Sequence, residues 1–303
     1  MSEHEILTPL PALPGRHRAP ARLRLLFAAA TSLLLACAAE VEEQDTIVAA
    51  APQALTASDR WFGAHCQDIF QGSPPWVTNL GWGDCNNFVS EASKQATKKF
   101  YYDLKGKKYF WETGGDQATN SLETVDLFYS NTHGGAWEAD TADYAMWEDG
   151  NADYNQRVFT RNMTLGDEGR RLSIFATVAC HTTEWNWDDD NGNGTTDTWE
   201  RWDSVFSGGL KAALGSNGDI YYDTVTGKTF AQYLNAGYTI KLAWYYGMAA
   251  SSAKHDVSVI FTGSSEGNCF SRRDGMTWNN FKESAYGRIT NPPWMCNTTW
   301  NDV

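Results

Sequence analysis

At 303 residues, 42% of them hydrophobic, the chain is long enough for one large domain or two small ones. Its 24 Lys and Arg stand against 37 Asp and Glu, a formal net charge of −13. An acidic chain without basic clusters argues against a nucleic-acid partner and against an electrostatic hold on anionic lipid, and it attracts divalent cations.

Arg16, Arg18, Arg22 and Arg24 precede an apolar run that begins at Leu25 and continues through Leu33-Leu34-Leu35-Ala36 to Cys37. A basic segment, an apolar stretch too short to span a bilayer and a small residue at its end read as an export signal. Leu34-Leu35-Ala36-Cys37 resembles the lipobox of bacterial lipoproteins, in which the Cys becomes the lipidated first residue of the mature chain. On that resemblance residues 1–36 are a lipoprotein signal peptide. Acyl chains on Cys37 would then anchor the exported protein to a bacterial membrane, facing periplasm or exterior. Removing residues 1–36 takes away four Arg and two Glu and moves the net charge to −15. No other stretch approaches transmembrane length. Residues 37–58, Ala-rich and acidic, read as a flexible tether, and residues 59–303 as one domain.

Within that domain, Phe88, Ala92, Ala96, Phe100 and Tyr101 recur at helical spacing, predicting a surface helix from Cys85 to Tyr102 with Asp84 as its N-cap. Two apolar runs follow, Val125 to Ser130 and Leu172 to Val178. Runs of this length, rich in β-branched and aromatic residues, read as strands buried on both faces of a parallel sheet. Ligands bind at the carboxyl ends of such strands. The first run delivers Asn131-Thr132-His133-Gly134-Gly135 and the second Ala179-Cys180-His181, so a His and a Cys are expected to meet in one cleft.

Directly after Cys180 the chain enters an acidic loop. Counted from Asp189, position 3 is Asn191, 5 is Asn193, 6 is Gly194, 7 is Thr195, 9 is Asp197 and 12 is Glu200, the register of an EF-hand-type Ca2+ loop. Short oxygen-bearing side chains at alternate positions point inward, Gly allows the sharp turn, and the last Glu closes the site. Only one such loop occurs and no entering helix precedes it, so it reads as a structural calcium clip. A helix is then predicted from Trp199 to Leu214, ended by Gly215, with Trp202, Val205, Phe206 and Leu210 on one face. Further helices follow from Lys228 to Ala236, stopped by Gly237, and from Lys241 to Met248, then a strand from His255 to Thr262. The tail beyond reads as irregular, and the Trp residues as core and loop packing. The alternation from 125 to 262 predicts an α/β sandwich with a mostly parallel sheet.

Six Cys are present, with Cys37 assigned to the lipid anchor. In an exported domain Cys66 with Cys85 and Cys269 with Cys296 are candidate local disulfides, although four Cys allow three connectivities. Cys180 is left over.

A thiolate attacks a carbonyl carbon, given a base to generate it and backbone N–H groups to hold the oxyanion. His133 is the candidate base for Cys180, and Gly134 leaves its own amide approachable. An apolar run into His-Gly, then roughly fifty residues on another into Ala-Cys, resembles the caspase, gingipain and legumain superfamily of cysteine peptidases. The resemblance implies a caspase-like three-layer α/β sandwich and a peptide or protein substrate. It makes His133 the catalytic His, Gly134 an oxyanion donor and Cys180 the nucleophile, its own amide serving as second donor. Trp202 through Gly209-Leu210, then Gly227 to Ala231, Gly237 and Ala243-Trp244 are similar to an uncharacterised bacterial family of this fold, and the resemblance covers about residues 75–250. The chain departs from caspases at Val178, where they carry Gln, at His181, and in the calcium loop, an insertion beside the cleft.

Two other readings stand beside this one. Gly83-Asp84-Cys85 opens a predicted helix and resembles the nucleophile helix of papain-like amidases and cell-wall hydrolases, with His255 as the later base. A calcium-stabilised surface lipoprotein without turnover is the non-enzyme alternative. The sequence carries no signature of oligomeric state.

Overall fold

A computed structural model describes residues 55–66, 69–70, 76–77, 80–103, 122–132, 134–138, 143–146, 158–166, 171–184, 197–221 and 223–303. All fall in one unit, Ala54–Val303. The elements in chain order are β1 (Trp61–Cys66), β2 (Ile69–Phe70), β3 (Trp76–Val77), α1 (Leu80–Ala92), β4 (Thr97–Asp103), β5 (Leu127–Asn131), β6 (Gly134–Glu138), β7 (Asp143–Met146), β8 (Val158–Phe159), β9 (Ile174–Val178), α2 (Asp197–Ser207), β10 (Ala212–Ser216), α3 (Thr226–Asn235), α4 (Ile240–Ala249), β11 (Val257–Gly263), α5 (Glu266–Gly275) and β12 (Trp294–Trp300).

Seven strands form the main sheet in the order β12-β11-β10-β9-β5-β1-β4. From β4 across to β10 all neighbours are parallel, and β11 runs antiparallel to both β10 and β12. The two apolar runs singled out above are β5 and β9. They lie side by side in parallel register, Leu127 opposite Ile174 and Asn131 opposite Val178, so they end at the same level. Every residue of both is buried, as the expectation of strands covered on both faces requires.

Alternation along these strands separates two cores. Leu127 and Tyr129 of β5 with Ile174, Ala176 and Val178 of β9 face Phe88 of α1, Phe230 of α3 and Trp244 and Met248 of α4. Phe128 and Phe175 point the other way, against Trp202, Val205 and Phe206 of α2. The protein is therefore a three-layer α/β sandwich with a mostly parallel sheet. Phe88 stacks on Tyr129 at 4.2 Å between centroids, and Phe230 meets Trp244 edge-on at 5.1 Å. Full burial of each such ring contributes about 1.5–3 kcal/mol.

Three sequence expectations are corrected. The helix read to Tyr102 ends at Ala92, and Thr97–Asp103 is the edge strand β4, because an aromatic, β-prone run gains the ladder with β1. The helix read to Leu214 ends at Ser207, stopped by Gly208-Gly209 with Gly209 at φ +101, and Ala212–Ser216 becomes β10 between β9 and β11. The tail is regular. Ser265 caps α5 by accepting from the Asn268 amide at 3.2 Å, and β12 pairs with β11 along seven residues. The other two helices fall where expected: Thr239 caps α4, and Gly237 at φ +83 closes α3.

Candidate functional site

Two strand ends build the site. Beyond β9 the chain turns sharply through Ala179-Cys180-His181-Thr182-Thr183 and is pinned to the end of β10. Ser216 Oγ lies 2.8 Å from both the Ala179 and the Gly218 carbonyl oxygens. The His181 amide donates to the Gly218 carbonyl at 2.9 Å, and the Thr183 amide to the Ser216 carbonyl at 3.0 Å. His181 itself is left-handed, φ 55, a conformation uncommon outside glycine. Beyond β5, the Thr132 amide donates to the Val178 carbonyl at 3.0 Å, carrying the second strand end along the first.

At Gly134 the two ends touch. A Cβ built there would lie 2.5 Å from the Cys180 carbonyl oxygen, 3.0 Å from the Ala179 Cβ and 3.2 Å from the Cys180 nitrogen. No side chain fits, so glycine is what lets the β5–β6 backbone lie on Cys180. The structure thus brings Gly134 and Cys180 together. His133, between Thr132 and Gly134 in the chain, lies outside the described residues.

Cys180 is half-buried and free of disulfides. Its Sγ donates to the Ile220 carbonyl at 3.6 Å and accepts from the Ile220 amide at 3.3 Å. Burial pushes the thiol pKa up and the Asp219 carboxylate adds to this, against the opposing pull of the Ile220 backbone. At rest the sulfur is a neutral thiol under the 217–221 segment.

His181 is occupied elsewhere. Its Nδ1 lies 3.2 Å from Glu184 Oε2 and its Nε2 3.1 Å from Asp219 Oδ1. The hydrogen bond to Glu184 first, then the two carboxylate charges, raise its pKa against the effect of burial. With both nitrogens facing carboxylates it is a bridge between the β9 turn and the 217–221 segment, not a base for Cys180.

Behind the strand end lies a group that sequence reasoning misplaced. Asp84 is no N-cap: it sits inside α1, fully buried. One carboxylate oxygen accepts from the Gly227 amide at 2.6 Å, the other from Asn131 Nδ2 at 2.9 Å and from the Tyr129 hydroxyl. Burial pushes its pKa up to about 7 against those three donors. Asp84 therefore fastens β5, just before His133, to α1 and α3. The sequence signal was present in the spacing of Asp84, Phe88 and Ala92, which puts a carboxylate on the buried stripe of the helix.

A protein-family model described as "Domain of unknown function (DUF6345)" matches residues 78–295. The chain belongs to that family. The match spans this DUF6345 domain from just before α1 to the start of β12, Cys180 included. No curated protein sequence matches it. Among 25 solved chains with similarity to it is the crystal structure of the Drosophila initiator caspase Dronc, 10% identical, covering 82% of each chain with a TM-score of 0.33.

Both candidate disulfides are formed, Cys66 of β1 with Cys85 of α1, and Cys269 of α5 with Cys296 of β12, each joining the DUF6345 match to a residue beyond it. Such bridges are those of an extracytoplasmic protein. The first corrects the papain-like reading. Cys85 has no thiol to offer and lies well inside its helix, and His255, buried before β11 beside the Tyr221 ring, is left without that nucleophile. Of the calcium-loop positions, Asp189, Asn191, Asn193 and Thr195 lie outside the described residues, whereas Asp197 and Glu200 form the first turn of α2. Cys37 also lies outside them. No described helix is long and apolar enough to cross a membrane.

Proposed function

We propose that the protein is an exported cysteine peptidase of caspase-like architecture, with Cys180 as nucleophile and His133 as base. The observation that carries this reading is the close approach of Gly134 to Cys180, which brings the residue next to His133 onto the one free thiol among the described cysteines. His133 takes the thiol proton as Sγ attacks the peptide carbonyl, and the amides of Gly134 and Cys180 hold the oxyanion. The proton passes to the leaving amine, and water then releases the acyl group from the thioester. Substrate entry has to displace Ile220 from the sulfur. In the same reading Asp189, Asn191, Asn193, Thr195, Asp197 and Glu200 hold Ca2+ and order the chain between Cys180 and α2, and a lipid on Cys37 keeps the domain at a bacterial membrane.

The test is cleavage profiling of the mature domain on a mixed peptide library, with calcium or with chelator, beside Cys180→Ala. Cleavage that disappears in the variant supports the reading, and its loss on chelation ties the loop to the cleft. Identical maps from parent and variant reject it.

The raised thiol pKa and the Ile220 contacts favour a second reading, a catalytically silent surface lipoprotein that binds without turnover. Under that reading Cys180 stays slow to alkylate even in the presence of bound peptide. The peptidase reading predicts that peptide accelerates alkylation as Ile220 is displaced.

A further inference from the structure

At the end of the sheet opposite Cys180 the fold gathers cations that are far apart in sequence. Lys211 immediately precedes β10, Arg171 lies just ahead of β9, Arg272 is on α5, and Lys282 and Arg288 follow it. Three carbonyl contacts stitch them together. Lys211 donates to the carbonyl of Phe281, next to Lys282, at 2.7 Å. Arg272 donates to the carbonyl of Gly287, next to Arg288, and Arg288 donates to the carbonyl of Leu172, next to Arg171, at 3.2 Å.

Asp126 is the buried carboxylate that Arg171 and Lys282 grip, with Asp59 acting on the same two cations, and it is taken. Lys282 lies 3.0 Å from its Oδ1 and Arg171 2.9 Å from its Oδ2. Lys211 and Arg272, only 6% and 2% exposed, make no ion pair among the described residues. Among the described residues the buried Nε and Nη1 atoms of Arg272 have no hydrogen-bond partner, and the Lys211 ammonium has one carbonyl bond. Burial first, then repulsion from Arg272, Arg288 and Lys282 against the attraction of Asp126, brings the Lys211 pKa down to about 7, and burial brings that of Arg272 down to about 10. Buried charges are ordinarily paired or ligand-bound, because an unpaired one forfeits its hydration for nothing.

We propose that Lys211 and Arg272 form a binding site for a small multivalent oxyanion of the phosphate type, at the amino end of the sheet. Depth decides between sources of that chemistry: side chains this buried reach a free anion or a small phosphate ester, not a headgroup held in a bilayer. The site is independent of Cys180 and of any peptidase activity.

The experiment is calorimetric titration of the intact mature domain with inorganic phosphate near pH 6.5, with thermal unfolding followed alongside and potassium chloride matched for ionic strength. Saturable binding is expected, with a rise in Tm that chloride does not reproduce. Lys211→Met and Arg272→Gln should each weaken binding at least about tenfold, a loss typical of one charge-assisted contact, while Cys180→Ala binds as the parent does. Equal effects of phosphate and chloride on the parent protein overturn the proposal, whatever the variants do. So does phosphate binding that survives both substitutions, and so does binding to phosphatidic acid vesicles without binding to inorganic phosphate.

Discussion

The Cys180 thiol is kept neutral by burial and by the Asp219 carboxylate, acting against the Ile220 backbone. Alkylation by iodoacetamide at pH 7.5 is therefore expected to run slower than for a free thiol, and Asp219→Asn should speed it by removing the charge that disfavours a thiolate. A rate equal to that of glutathione would show that the sulfur is not held as described. Asp219 also grips His181, whose pKa is raised by Glu184 and Asp219. A folded-state pKa above the unfolded value means stability that is present below about pH 6.5 and lost as pH rises through the folded value. Urea unfolding of the parent should show this loss, and His181→Gln should remove it. Asp84 has the same sign on a larger scale. Raised to about 7 from 3.8, it stabilises below pH 4 and loses that contribution as pH rises to 7, and Asp84→Asn should flatten this part of the profile.

Among the elements, the join between β5, α1 and α3 carries the most risk. Asp84→Ala strands three buried donors on Gly227, Asn131 and Tyr129, and a cost of about 3 kcal/mol is expected by denaturant unfolding. Asp84→Asn should cost far less, because Asn131 Oδ1 has no hydrogen-bond partner among the described residues and can turn to accept. Gly134→Ala pushes a methyl group onto the Cys180 backbone. It should destabilise by about 1–3 kcal/mol, as overpacking does, and abolish any Cys180-dependent cleavage. The strands that deliver Gly134 and Cys180 were legible in the sequence because they are unbroken apolar runs. The ends of α1 and α2 were not, because Phe100 and Leu210 continue a helical period by coincidence, while Phe100 pairs with β1 and Leu210 lies past Gly208-Gly209 on the way into β10. Asp84 was read as a cap because a lone helix-region carboxylate usually is one. Only the approach of α3 reveals what it holds.

At the level of the whole molecule, the absence of basic clusters in the sequence is reversed by folding, since residues 171, 211, 272, 282 and 288 meet only in three dimensions. Lys211 leaves a mark on global stability. Its folded pKa of about 7 lies below the 10.5 of the exposed group, so the unfolded state binds the extra proton between those values, and stability rises with pH across that window. Lys211→Met should lose the rise, measurable by denaturant unfolding at pH 7 and pH 10. The order of the cysteines along the chain adds a further consequence. Cys66 and Cys85 emerge in succession and belong together, but the next thiol is Cys180, and the one after it, Cys269, belongs to Cys296. An oxidant that joins each new cysteine to the last would capture Cys180 with Cys269. Native pairing requires either that Ile220, forty residues downstream, shelters the sulfur first, or that the wrong bridge is later exchanged. Oxidative refolding of Cys180→Ala should accordingly give more correctly bridged protein than the parent, and depend less on a disulfide isomerase.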